Sequence, residues 1–199
     1  MLIKKEQRSI LIINLIIIVF FGILFTLKRN YEFILYVLVI LFFFALILLT
    51  NKKVDYPKGV LWGLSLWGFL HMAGGGLTLN GTRFYELMII PLIGAPYDVL
   101  KYDQVIHAVG FFVATLVMYS ILKAQLKKNH GWVALGIVIV MAGLGAGALN
   151  EIVEFIVAVV VPESGVGGYE NTALDLIANF IGALLAFGYI YWKEGKKKS

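Results

Sequence analysis

Six apolar runs constrain this chain more than any other feature. They lie at residues 9–27, 31–50, 60–75, 104–123, 132–161 and 172–192, set against the about 20 helical residues that a hydrocarbon core requires. A backbone in lipid must satisfy its own N–H and C=O groups, so the runs read as an all-α bundle of about six transmembrane helices. Composition agrees: 60% of the 199 residues are hydrophobic and 15% charged, where a soluble domain has about a quarter charged. The first run exceeds the apolar core of a signal peptide and no small-x-small cleavage site follows it, so a retained span is expected.

The net charge of +5 is not a nucleic-acid footprint, because the basic residues stand in short clusters between the runs. With the N-terminus inside, Lys4, Lys5, Arg8, Lys52, Lys53, Lys58, Lys123, Lys127, Lys128, Lys193, Lys196, Lys197 and Lys198 are cytoplasmic, and only Lys28, Arg29, Arg83 and Lys101 lie outside. That asymmetry predicts a multi-pass protein of the cell membrane with both termini cytoplasmic. The lipid bilayer is its expected partner. The absence of Cys excludes disulfides and thiolate chemistry.

Acidic residues run the other way. Asp103 and His107 open the fourth span, Glu151 and Glu154 lie late in the fifth, and Asp175 and Asn179 open the sixth. His71 ends the third in HMAGGG. Residues three or four apart share a helix face, so four helices are expected to turn polar stripes toward one point in the outer half of the membrane. A carboxylate at the centre of a span costs about 2.5–3.5 kcal/mol on insertion scales; a polar cavity between helices would offset that. Glu32, Glu86, Asp98, Glu163 and Glu170 fall on the same side.

The fifth run is too long for a core of about 30 Å, so it must tilt, protrude or break. Its glycines Gly143, Gly145 and Gly147 offer either a break or close helix packing at GxxxG spacing. Gly182, Ala183 and Ala186 read as a packing face. The loop at 76–102, with Pro91 and Pro96, suits an interfacial or re-entrant piece or a surface connector. The loop PESGVGGYENTA can bring Glu170 or Asn171 to the same point. The first two spans, within 1–59, show almost nothing polar and read as packing or partner surface. Residues 60–199 form the motif-bearing core of one transmembrane domain. No phosphate loop, serine elbow, HExxH or dinucleotide fingerprint is present.

Asp103-x3-His107 with Gly110 and Phe111, then Asn150-Glu151-x2-Glu154, then Asp175-x3-Asn179-x2-Gly182 resembles, in order and spacing, the VanZ-like membrane proteins. With His71 and the glycines after it, the pattern is similar to the YjdF-type bacterial inner-membrane family. The chain departs from the VanZ-like pattern in carrying Glu154 where a Gln is usual, and no basic residue shortly before Asp175. The resemblance implies a cell-envelope context and no settled reaction.

Three readings follow. Asp103, His107, Glu151, Glu154 and Asp175, with His71 and Asn179, form a catalytic or binding site for an envelope or lipid-linked component. In it His71, His107, Glu151, Glu154 and Asp175 hold a divalent metal, since mixed imidazole and carboxylate ligands suit zinc, manganese or iron. The second reading is a cation- or proton-binding transporter. The third is a set of interhelical hydrogen bonds that hold the bundle. The topology is checked by single cysteines in this cysteine-free chain: Lys198→Cys is expected to resist a membrane-impermeant maleimide in intact cells, and Asn80→Cys to react.

Overall fold

A computed structural model describes residues 4–126, 131–162 and 164–195. Lys127, Lys128, Glu163 and the basic tail from Lys196 to Lys198 lie outside the described residues. The described residues form six α-helices: α1 Arg8–Leu27, α2 Tyr31–Val54, α3 Lys58–Gly76, α4 Tyr102–Lys123, α5 Trp132–Val160 and α6 Tyr169–Glu194. Five are long and apolar enough to cross a membrane. The exception is α3, whose Ser65, His71 and repeated glycines dilute its hydropathy.

Local chemistry sets the helix ends. The Asn30 side chain accepts a hydrogen bond from the Phe33 N–H and caps α2. Asp55, in the left-handed region at φ 54°, closes the same helix, and Pro57 leads into α3. At the start of α4 the buried Gln104 side chain accepts from the backbone N–H groups of Leu100 and Lys101 at 2.7 and 2.8 Å. This ties the incoming strand to the first turn of the helix. Lys28 donates to the last carbonyl of α3, Gly76, at 2.7 Å, where a cation also suits the helix dipole.

The α4–α6 contact is the most extensive in the bundle, and small residues make it. Ala183 and Ala186 are fully buried, and a Cβ on Gly182 would lie 2.2 Å from the Ala108 carbonyl oxygen. The two backbones therefore touch. The glycines of α5 serve the same end and do not break the helix, which runs unbroken for 29 residues. A Cβ on Gly143 would lie 2.0 Å from Thr115 Oγ1 of α4, and one on Gly147 would lie 2.7 Å from Asn179 Nδ2 of α6. At roughly 43 Å α5 is longer than a hydrocarbon core, so it tilts or protrudes. By contrast α1 and α2 leave much apolar surface open, with Ile16, Val19, Phe20 and Phe42 all exposed. Lipid is the natural cover for such faces.

The segment between α3 and α4 is more structured than its sequence suggests. β1 Thr78–Leu79 and β2 Thr82–Arg83 form a hairpin around Asn80 and Gly81, both at positive φ, as a two-residue Asn-Gly turn requires. β3 Met88–Ile93 pairs antiparallel with β4 Val99–Lys101, and all six residues of β3 are exposed. Both hairpins lie at the end of the bundle where α3 finishes and α4 begins, referred to below as the hairpin end.

Among the described residues three apolar clusters pack the bundle, one of them Tyr119, Leu135, Ile139 and Ile190 of α4, α5 and α6. Phe21, Phe25, Phe33, Tyr36 and Met72 pack at the hairpin end, and Ile10, Tyr56, Val60, Val113 and Val117 at the opposite end. The N-terminal spans are less plain than expected: Asn14 of α1 donates to Ser65 Oγ of α3 at 2.6 Å, and Asn51 of α2 donates to Gln7 Oε1 at 2.8 Å. Over-packing tests the α4–α6 seam. Gly182→Val is expected to cost about 1–3 kcal/mol and to lower the thermal midpoint in detergent. Gly22→Ala, which meets nothing within 4 Å, is not expected to lower it.

Candidate functional site

Helix direction alternates along the chain, so the start of α4, the end of α5 and the start of α6 meet at one level. His107 of α4 is buried at their junction. Its Nδ1 is 3.0 Å from Asn179 Oδ1 of α6; an amide oxygen only accepts, so Nδ1 is the donor of this pair, and a neutral imidazole held this way would offer the Nε2 lone pair. Nε2 lies 3.6 Å from Asp103 Oδ1 and 3.7 Å from Glu154 Oε1, and Nδ1 lies 3.5 Å from Glu151 Oε1. One imidazole is thus ringed by carboxylates from two helices, and Asp175 of α6 completes the set. One ligand atom from each of His107, Glu151, Glu154 and Asp175 lies within 4.8 Å of the others.

Amides hold part of this group. Asn150 donates to Glu154 Oε1 at 2.6 Å, one turn before it on α5. Asn171 donates to Asp175 Oδ2 at 2.5 Å and reaches Asp103 Oδ2 at 3.4 Å, bridging α6 to α4. Of the two candidates from the second loop, Asn171 joins the site and Glu170 stays exposed. Other atoms are left over. Both Glu151 oxygens, Asp175 Oδ1 and Asn179 Nδ2 are buried without a hydrogen-bond partner among the described residues. Among the described residues no Lys or Arg makes an ion pair with any of the four carboxylates; the lysines and arginines that form pairs do so with Asp55, Glu6, Glu32, Asp98 and Glu194. Negative charge so concentrated in a low-dielectric interior requires a cation or protons.

His71 stands apart from the four. Its ring lies among Trp67, Tyr36 and Tyr85, with centroids 5.3, 5.5 and 5.8 Å away, and its Nδ1 is 2.5 Å from the Tyr85 hydroxyl. Burial above all, then the neighbouring charges of Asp103 and Glu154, holds the Tyr85 phenol well above its ordinary range. Tyr85 therefore keeps its proton and can donate it to the imidazole. The glycines after His71 make room for this arrangement: a Cβ on Gly74 would lie 2.5 Å from the Tyr85 ring, and one on Gly75 would lie 1.9 Å from the Phe33 ring.

A cavity of about 210 Å³ runs from the His71 cluster to the edge of the carboxylate group. His71, Asp103 and Glu154 line it, together with Tyr36, Glu32 and Arg83. The last two were not singled out as site residues by the sequence. Glu32 is buried, accepts from the Gly165 N–H at 2.7 Å, and lies 3.7 Å from Arg83 Nη1. A span read as plain therefore contributes an acid to the cavity. Glu32 sits two residues beyond a capping Asn, where an acid is ordinary, so nothing local marked it. The Asn80-Gly81 turn was a legible signal for Arg83, because it folds residue 83 back over the end of α3.

No curated protein and no solved structure matches this chain. A family model does, over residues 8–195, and its description, a predicted membrane protein, fits the bundle built above. The chain belongs to that family, DUF2238.

Proposed function

We propose that this protein binds a divalent cation at His107, Glu151, Glu154 and Asp175, and uses that centre to bind or act on an envelope or lipid-linked component at the outer face of the membrane. The observation that carries the reading is the set of four ligand atoms within 4.8 Å of one another, with Glu151 and Asp175 buried and holding oxygens that have no hydrogen-bond partner among the described residues. Buried polar groups are normally paired, so leftover acceptors facing one imidazole suit the binding of a cation. One nitrogen and several carboxylate oxygens suit zinc, manganese or iron. When bound, such an ion polarises an oxygen of a ligand or lowers the pKa of bound water.

The surrounding residues have definable roles in this reading. Asn179 holds the His107 Nδ1–H and so aims the Nε2 lone pair, the outer-shell arrangement common to histidine ligands. Asn150 and Asn171 fix Glu154 and Asp175. Asp103, beside His107 Nε2 and lining the cavity, is placed to take a proton from a ligand or water. The excess of Lys and Arg on the loops at the opposite end supports an outward-facing site with both termini cytoplasmic. The order of the Asp-x3-His, Glu-x2-Glu and Asp-x3-Asn pairs supports kinship with the VanZ-like and YjdF-type groups. We read residues 1–199 as a single transmembrane unit.

Binding on one side is favoured over a path across the membrane. Away from the hairpin end, Asn14, Ser65, Gln7 and Asn51 are neutral and engaged in interhelical hydrogen bonds, as residues that fix a bundle are. Metal analysis of the protein purified in mild detergent without chelator tests the reading. The expected result is about one equivalent of a first-row divalent metal per chain, with roughly tenfold or greater loss of affinity in His107→Ala and Glu151→Ala and retention in Lys53→Ala. Wild-type protein that is folded yet takes up no zinc, manganese or iron on reconstitution would overturn it.

A further inference from the structure

The charges lining the cavity come from Glu32, Arg83, Glu86, Lys101, Asp103 and Glu154; with Glu32 buried beside Arg83 and Glu86 exposed, the other four fall in two tiers. Glu154 and Asp103 form its deep wall, with side chains 14% and 17% exposed, whereas Arg83 and Lys101 stand nearer its mouth at 39% and 29%. Of the deep tier, Glu154 belongs to the cation centre and Asp103 lies 3.6 Å from its His107, while His107, Glu151 and Asp175 stand behind this wall. The outer tier has no counterpart in that role, since guanidinium and ammonium groups do not ligate metals. Both cations are steered without being consumed: Arg83 Nη1 lies 3.7 Å from Glu32, and Lys101 Nζ lies 3.5 Å from Asp98. Among the described residues, neither side chain is found donating a hydrogen bond to these acids. The backbone of the second loop packs on the guanidinium, because a Cβ on Gly165 would lie 2.2 Å from Arg83 Nη1. Three separate segments, α2 through Glu32, β2 through Arg83 and the loop through Gly165, therefore hold one guanidinium beside the cavity.

A floor that takes a cation, beneath a rim that carries two more, brackets an anion. The anion must offer several oxygens, some to a metal and others to a forked guanidinium, and a tetrahedral phosphate does this. The cavity of about 210 Å³ is smaller than the roughly 300–1,000 Å³ of pockets that enclose a drug-sized ligand. Only a head group fits within it. Directly beside the mouth, β4 carries Lys101 and pairs with β3, whose Ile89, Ile90, Leu92 and Ile93 are all at least half exposed. An apolar arm there suits a ligand whose remainder lies in lipid.

We propose that the cavity receives a phosphate group, carried by a lipid head or by a soluble phosphoester, held by Arg83 and Lys101 against a divalent cation at His107, Glu151, Glu154 and Asp175. This rests on the cation centre proposed above. Arg83 is a binding residue in it, and Glu32 and Gly165 are positioning residues acting through Arg83.

The experiment uses the full chain in phosphate-free, non-ionic detergent. Manganese binding is measured first, then binding of radiolabelled inorganic phosphate and of dioctanoyl phosphatidic acid by equilibrium dialysis, with and without manganese. The expected result is phosphate binding that depends on manganese and weakens roughly tenfold or more in Arg83→Gln, in keeping with loss of a charge-assisted fork. Manganese affinity should be unchanged in that variant. Gly165→Ala, which leaves every charge in place and crowds the guanidinium at 2.2 Å and the Glu32 carboxylate that positions it at 3.3 Å, is expected to weaken phosphate in the same direction and serves if Arg83→Gln does not fold. Binding of the lipid alone assigns the source to a lipid head, and equal binding of both probes assigns a free phosphate group. Wild-type protein that binds manganese but neither probe overturns the phosphate inference and leaves the cation centre standing. Absence of binding of manganese, zinc and iron alike overturns both, and phosphate binding unaffected by Arg83→Gln and Gly165→Ala overturns the role of the rim.

Discussion

The concentration of carboxylates around His107 is the constraint on which the rest of the molecule depends. Asp103, Glu151, Glu154 and Asp175 come from three helices of an otherwise oily bundle, and water cannot screen them as it would at a surface. An acid costs about 2.5–3.5 kcal/mol at the centre of a span and less toward its ends, and the bundle must keep all four away from lipid at once. It does so by closing α4, α5 and α6 around one point and covering that point with two loops. Asn150, Asn171 and Asn179 supply neutral hydrogen bonds that hold the acids and the imidazole in place. They do not neutralise them.

Close approach of the three helices is what makes this geometry available. Gly182 lets the α6 backbone meet the Ala108 carbonyl of α4, and Gly143 and Gly147 let α5 lie against Thr115 and Asn179. In a membrane no hydrophobic effect drives helices together, so contact of small residues and interhelical hydrogen bonds must do so. The same glycines that allow packing therefore set the distance between His107 and its carboxylates. The aromatic cluster around His71 plays the corresponding part for α2, α3 and the hairpin loop. Tyr85, seated on Gly74, joins the first hairpin segment to the buried imidazole.

Several of these features were legible in advance because they follow from one-dimensional rules. Spacing of four placed Asp103 with His107 and Asp175 with Asn179, and spacing of three placed Glu151 with Glu154, since helical periodicity needs no tertiary knowledge. The glycines of α5 were ambiguous between break and seam, because a GxxxG pair reads the same until its neighbours are known. Glu32 and Arg83 were missed for a different reason. Each is unremarkable in its own segment, one in the first turn of a helix and one on a short hairpin, and they acquire meaning only when α2 and the loop close over the same cavity.

By itself the sequence determined that the chain is a multi-pass helical protein, where most of its helices begin and end, and which helix faces are polar. Those properties follow from hydropathy and from the 3.6-residue period, both local. The tertiary structure alone decided which polar faces share a centre: His107 with the carboxylates, His71 with Tyr85, and Arg83 with Glu32 at the mouth. Pairing of that kind depends on helix rotation, on backbone separations set by single glycines, and on where loops fold back. Those are distances between segments far apart in the chain, and no spacing rule along it encodes them.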